Sequence, residues 1–382
     1  MRKIQWFLVS MIGMFFTLST FAAAPARPQL VLKPPVLHLN AKAWVLMNYE
    51  SGQIVTSYQA GTHLPPASLT KLMAAYVVLT VVQQGAIQLT DQVVVSDHAA
   101  KTIGSRMFLK AHEKVSVENL LKGMIVQSGN DATVALAEHV AGSESAFIDM
   151  MNAAADKLGM QDTHFASVNG LPSPGQYVSA HDMAMLSRAL IAHFPAEYRW
   201  YSQKTFAWNG IKQRSRNRLL WTYPGTDGLK TGYTKAARYC LVASAKQNHM
   251  RWIGVILGAP SDKLRAQEMQ KLLDYGFRYY ENHTLYDADQ VMEHVPIVQG
   301  EANTVPVGIE QRLVVTVPKG HYGDVKASLM IDKATKAPIK KGQVLGHIRV
   351  TLAGKLLAKR AVVALQPVQK SISLWQSIKD MF

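Results

Sequence analysis

Ser68-Leu69-Thr70-Lys71 sets a hydroxyl and an amine three residues apart, which on a helix places both on one face about a turn apart. A serine hydroxyl is a poor nucleophile at neutral pH. A lysine that has lost its proton through burial or neighbouring cations can serve as its base. Alone, the Ser-x-x-Lys spacing says little, since about one or two are expected by chance in a chain of this length. Two tripeptides narrow the reading: Ser128-Gly129-Asn130 and Lys230-Thr231-Gly232, each expected by chance about once in ten such chains. Together the three motifs supply two hydroxyl–amine pairs and a carboxamide, a set suited to acyl transfer through serine. Taken singly, Ser128 reads as a helix N-cap, Asn130 as a turn residue and Gly232 as a strand bulge. Taken jointly, they do not reduce to that.

The elements around these residues are legible in outline. Ala43–Met47 and Ile54–Tyr58, joined by Glu50-Ser51-Gly52-Gln53, read as a hairpin. Leu69, Leu72, Met73, Tyr76, Val77 and Leu79 recur at helical spacing over 68–84 behind Pro65-Pro66, which puts Ser68 at a helix N-terminus. There the hydroxyl would meet free backbone N–H groups and the positive end of the helix dipole. Further helices are expected over 116–127, 131–141, 143–158 and 180–193. Two strands follow over 238–246 and 251–259, then a charged helix over 262–280. Strands, helices, strands and a helix make an α+β order with an antiparallel sheet. Short alternating runs from 291 to 365, broken by Gly and Pro turns, read as a separate all-β domain.

Both ends carry signals of another kind. Arg2-Lys3, the apolar run from Trp6 to Phe16 and Ala22-Ala23-Ala24 match the charged, apolar and cleavage regions of a signal peptide over 1–24, so the mature chain is expected to be exported. With one cysteine, Cys240, no internal disulfide can form, and its strand-like surroundings read as a small buried hydrophobe. A net charge of +15 would suit nucleic acid or an anionic surface, and export argues against nucleic acid. Residues 367–382 gather Ile372, Leu374, Trp375, Ile378, Met381 and Phe382 on one side of a helix; too short to span a bilayer, the segment suits lying in a membrane interface. The expected division is a catalytic domain over 25–283, an all-β domain over 284–366 and an amphipathic helix over 367–382. No His-Glu-x-x-His pair or phosphate-binding Gly loop occurs, so neither metal nor other cofactor is implied.

The order Ser-x-x-Lys, Ser-x-Asn, Lys-Thr-Gly is that of penicillin-binding proteins and class A β-lactamases. The segments Pro66–Met73, Gly104–Leu109, Gln127–Ala132 and Gly225–Thr234 resemble the D-alanyl-D-alanine carboxypeptidase family of low-molecular-mass penicillin-binding proteins. The β-rich tail and apolar C-terminus resemble the subgroup held to the periplasmic face of the cytoplasmic membrane. The resemblance implies a β-lactamase/DD-peptidase-like catalytic domain acting on peptidoglycan stem peptides, with β-lactams as covalent inhibitors. It makes Ser68 the acylated nucleophile and Lys71 its base, with Ser128 and Lys230 handling the proton given to the departing D-alanine. Asn130 would hold the substrate amide. Thr231 and Gly232 would also bind the substrate, Thr231 meeting the terminal carboxylate with Arg265. The backbone N–H groups of Ser68 and Tyr233 would form the oxyanion hole. Many relatives carry histidine where Tyr233 stands.

Three rival readings use the same residues. A class A β-lactamase needs a glutamate between the second and third motifs to drive water onto the acyl-enzyme, and residues 145–196 contain none. An endopeptidase acting on cross-links differs only in which amine leaves. An inert wall-binding protein would be expected to lack Lys71 or Lys230, and both are present.

Overall fold

The computed structural model describes residues 33–332 and 335–371. The expected signal peptide over 1–24 lies outside them. A five-stranded antiparallel sheet organises the first part, in the order Ile54–Tyr58, Ala43–Asn48, Met250–Ala259, Arg238–Gln247, Thr226–Thr234. Its central strands are apolar on both faces because both are covered. One face packs against helices including Thr70–Gln83, Asn130–Ala141 and Ala180–His193; the other is closed by Asp262–Tyr279. The Thr70–Gln83 helix is apolar almost all round, with Leu72, Met73, Ala75 and Val78 at or near zero exposure, so it runs through the core. Ser143, Ser179 and Ser261 cap the helices that follow them, each accepting a backbone N–H three residues on. Cys240 is buried in the sheet core, as its surroundings suggested.

The architecture is the expected α+β, with three departures in detail. The segment read as one helix over 116–127 is α-helical only over Val117–Lys122 and widens into a π turn over Gly123–Gln127. That turn ends at Ser128, which takes a left-handed φ of 65°. The apolar periodicity of α and π turns is too similar over five residues for sequence to separate them. A hairpin of Thr205–Trp208 and Ile211–Arg214, not expected from sequence, closes one side of the site. Finally, Tyr280–Tyr286 is a strand that begins where the Asp262–Tyr279 helix ends, and it pairs with Leu313–Pro318.

The second domain is all-β, its main sheet ordered Glu293–Pro296, Thr304–Gly308, Lys355–Ala364, Val344–Leu352, Val325–Ile331 around a Val- and Ile-rich core. Its junction with the first is polar and at least partly buried. Ser51 Oγ and Thr316 Oγ1 are 2.7 Å apart, and Thr316 donates to Asn282 Oδ1 at 2.7 Å. Asn282 Nδ2 donates to Asn48 Oδ1 at 3.3 Å and to Glu50 at 3.1 Å. Of the expected C-terminal helix, residues 367–371 are described and are not helical: Val368 bridges Ile339 and Lys370 bridges Gly300. Residues 372–382 lie outside the described residues.

Candidate active site

Ser68 sits in a single 3-10 turn, Ala67–Leu69, that leads directly into the Thr70–Gln83 helix, so it stands just ahead of the α-helix expected to begin with it. Lys71, one turn on, is 1% exposed. Its Nζ donates to Ser68 Oγ at 3.2 Å, to Asn130 Oδ1 at 2.7 Å and to the Asn169 carbonyl at 2.5 Å. Burial, reinforced by the Arg216 guanidinium and opposed by the Asp131 carboxylate, brings the Lys71 amine down from 10.5 to about 7. An amine poised there can accept a hydroxyl proton near neutral pH. Asn130 is held in turn by its Nδ2, which donates to the Ile103 carbonyl at 2.6 Å.

The other motif residues converge on the same place from different elements. Ser128 follows the π turn, and its Oγ is buried with no hydrogen-bond partner among the described residues. It does not cap the Asn130–Ala141 helix, whose N-cap is Gly129. Buried Asp131 accepts from the Met107, Leu109 and Ala132 N–H groups, tying the loop that carries Ser105 to this helix. Lys230 is buried on the edge strand of the sheet, its Nζ donating to the Thr231 carbonyl at 3.2 Å. Burial first, then the Lys71, Arg216 and Arg265 charges, hold it well below its ordinary range. Lys230 and Ser128 are not hydrogen-bonded to each other among the described residues.

Glycines set how closely the strand and the Ser68 turn approach. A Cβ on Gly232 would lie 2.9 Å from the Pro66 carbonyl oxygen and 3.2 Å from the Ser68 backbone nitrogen. A Cβ on Gly170, whose φ is +86°, would lie 1.9 Å from the Ala67 carbonyl oxygen. Gly232 therefore lets the strand carrying Thr231 and Tyr233 lie against the Ser68 turn. Tyr233 itself is exposed, its ring tilted against Tyr239 at 4.5 Å. Arg265, 5% exposed, donates to the Cys240 carbonyl at 3.1 Å and the Gly232 carbonyl at 3.4 Å and pairs with Asp262. Its guanidinium is thereby fixed beside Thr231.

Two adjoining hollows meet at the site and share Ser68, Ser105, Arg216 and Tyr233. One, about 310 Å³, runs past Asn130, Asn169, Leu171 and Thr234. The other, about 630 Å³, holds Ser128, Thr231, Arg265, Arg218 and Trp221. Seven of the nine residues singled out from sequence line these hollows; Lys71 lies behind them, bonded to Ser68 and Asn130, and Lys230 is buried next to Thr231.

The profile of D-alanyl-D-alanine carboxypeptidases matches residues 29–261. The chain belongs to the D-alanyl-D-alanine carboxypeptidase family. The profile of the C-terminal domain of penicillin-binding protein 5 matches residues 280–370, a segment that starts at the strand entering the all-β domain. The chain is 43% identical to the D-alanyl-D-alanine carboxypeptidase DacC of Escherichia coli over 353 residues, 90% of this chain and 88% of that one. It is 40% identical to the D-alanyl-D-alanine carboxypeptidase DacA of Haemophilus influenzae, over 94% of this chain and 93% of that one. The crystal structure of penicillin-binding protein 5 from Haemophilus influenzae superposes with a TM-score of 0.83 at 40% identity, covering 89% of this chain and all of that one.

Within this carboxypeptidase family site, the sequence reasoning missed Arg216, whose charge acts on both lysines, and the Asn169 carbonyl that holds Lys71. For Arg216 a signal existed. Arg214, Arg216 and Arg218 recur at every second residue of the sequence, and all three line the larger hollow, while Gln213 and Asn217 donate to the Arg106 and Gly228 carbonyls. For Asn169 there was none, because a backbone carbonyl has no residue type.

Proposed function

We propose that the chain is a serine-type D-alanyl-D-alanine carboxypeptidase that removes the terminal D-alanine of peptidoglycan pentapeptide stems through an acyl-enzyme on Ser68. The observation that carries this reading is the buried Lys71 amine, its pKa lowered to about 7, 3.2 Å from the Oγ of Ser68, which lines both hollows. Lys71 takes the hydroxyl proton as Ser68 Oγ bonds to the penultimate D-alanine's carbonyl carbon. The backbone N–H groups of Ser68 and Tyr233 receive the developing oxyanion. Thr231 and Arg265 hold the terminal carboxylate, and Asn130 the substrate amide. As the C–N bond breaks, Ser128 and Lys230 pass a proton to the departing amine, and water then hydrolyses the ester. β-Lactams acylate the same hydroxyl, and the absence of glutamate from 145–196 supports slow release of that adduct.

The N-terminal run over 1–24 supports export to the periplasm, and the apolar side of the C-terminal segment supports attachment to the outer face of the cytoplasmic membrane. There the enzyme would limit cross-linking by consuming pentapeptide donors. The test is mass spectrometry of the mature protein after penicillin treatment, alongside D-alanine release from a stem pentapeptide. A stable adduct on Ser68 with D-alanine release is expected, and Ser68→Ala removes both. Covalent labelling that survives Ser68→Ala overturns the assignment; rapid penicillin turnover points to a β-lactamase instead.

A further inference from the structure

We propose that the larger hollow is a leaving-group subsite for a D-residue bearing a second carboxylate, read by Arg214 with support from Lys204; the inference rests on the site reading above. With the terminal carboxylate at Thr231 and Arg265, the acyl part of a peptide runs along the strand toward Thr234, into the 310 Å³ hollow. The 630 Å³ hollow therefore lies on the leaving side. It is the larger of the two, although D-alanine is a small leaving group.

Its lining is also more cationic than D-alanine requires. Arg214, Arg216, Arg218 and Arg265 all face it, against a single acid, Asp262. Asp262 is already engaged by Arg218 at 2.9 Å and by Arg265. Arg216 lines both hollows, next to Ser68. Arg214 is left at the outer part, its guanidinium 5.0 Å from the centroid of the Trp221 ring. Lys204 Nζ approaches the same ring at 5.9 Å. Neither cation forms an ion pair among the described residues, and Trp221 is 38% exposed. An indole face flanked by two unpaired cations fits an aliphatic stem ending in a carboxylate: the methylenes lie on the ring and the charge meets Arg214.

A D-residue of that kind occupies both points at once, its α-carboxylate at Thr231 and Arg265 and its side-chain carboxylate at Arg214. The chemistry is unchanged. Ser68 Oγ bonds to the carbonyl carbon, the C–N bond breaks, and the amine departs with the proton it receives. What widens is the set of amines that leave, from D-alanine to acidic D-residues.

The test compares three diacetyl-L-lysyl-D-alanyl peptides ending in D-alanine, D-glutamate or D-glutamine. The last two are isosteric, so the ratio of their kcat/KM values isolates the side-chain charge. A ratio of about three to five in favour of D-glutamate is expected, the size of an exposed ion pair, and it should decline as salt is raised. Arg214→Gln brings the ratio toward one, while Arg214→Lys preserves it. A wild-type ratio at or below one, or a ratio that Arg214→Gln leaves in place, overturns the subsite. The D-alanine peptide separates the two ideas: its hydrolysis with Ser68 acylated and no D-glutamate preference removes only the subsite, whereas no hydrolysis and no Ser68 adduct removes the site reading itself.

Discussion

The lowered Lys71 amine predicts how acylation of Ser68 depends on pH, and replacing Arg216 perturbs it in a fixed direction. With an amine near 7, roughly half of the protein carries the neutral base at pH 7, about a tenth at pH 6 and about a hundredth at pH 5. The second-order rate constant for penicillin acylation should therefore fall about tenfold per pH unit below 6 and reach a plateau above 8. Arg216 is one of the groups that lower this amine, so Arg216→Gln moves the midpoint upward, and more of the protein is idle at pH 7. Burial remains the larger cause, so the amine stays below its ordinary 10.5 in the variant. Rates measured with a fluorescent penicillin between pH 5 and 9, in wild type and variant, read both the slope and the midpoint. A rate at pH 5 within twofold of that at pH 9, or a midpoint that moves down in Arg216→Gln, refutes the role given to Lys71. Stability carries the same signature. Between pH 7 and 10.5 the unfolded lysine holds a proton that the folded one has lost, so the contribution of Lys71 to stability rises with pH across that window, opposed at its upper end by the buried Cys240 thiol and tyrosines. The full shift corresponds to about 5 kcal/mol.

Gly232→Ala should lower the penicillin acylation rate at least tenfold while leaving the circular dichroism spectrum in place, because the added methyl meets the Pro66 carbonyl and the Ser68 turn rather than the core. Unimpaired acylation would show that the strand need not lie so close. Burial pushes the Cys240 thiol up to about 11, so it should resist maleimide at pH 8 in the folded protein and react at once in denaturant. Removing residues 372–382 should release the protein from membranes in a sedimentation assay while D-alanine release from soluble peptides continues; unchanged sedimentation counts against the anchor.

Sequence alone made the chemistry more legible than its mounting. Ser68, Lys71, Ser128, Asn130 and Lys230 were readable because short motifs fix residue type and local spacing. Arg265 was harder, since its place beside Thr231 depends on the Asp262–Tyr279 helix packing across the sheet. The π turn before Ser128 was not readable, because five residues of apolar helix look alike whichever carbonyl each N–H reaches. The Tyr280–Tyr286 strand was missed for a related reason. Tyr-Glu-Asn-His-Thr-Leu-Tyr has little alternation, and its partner, Leu313–Pro318, is supplied by the second domain. Fold class survived these errors because it depends on the long apolar elements, whose periodicity is strong.

The junction between the domains has a mechanical consequence. A helix turns directly into a strand there, Asn282 donates to Asn48 and Glu50, and Thr316 is hydrogen-bonded to Ser51, so the two parts are joined without an intervening loop. That connection suits the all-β domain to act as a strut rather than a tether. If a membrane attachment beyond Ser371 holds the chain, such a strut would set the height and aim of the cleft together, leaving polymer strands outside that arc out of reach. Lengthening the strut would change which layer of substrate is trimmed without altering one residue of the site.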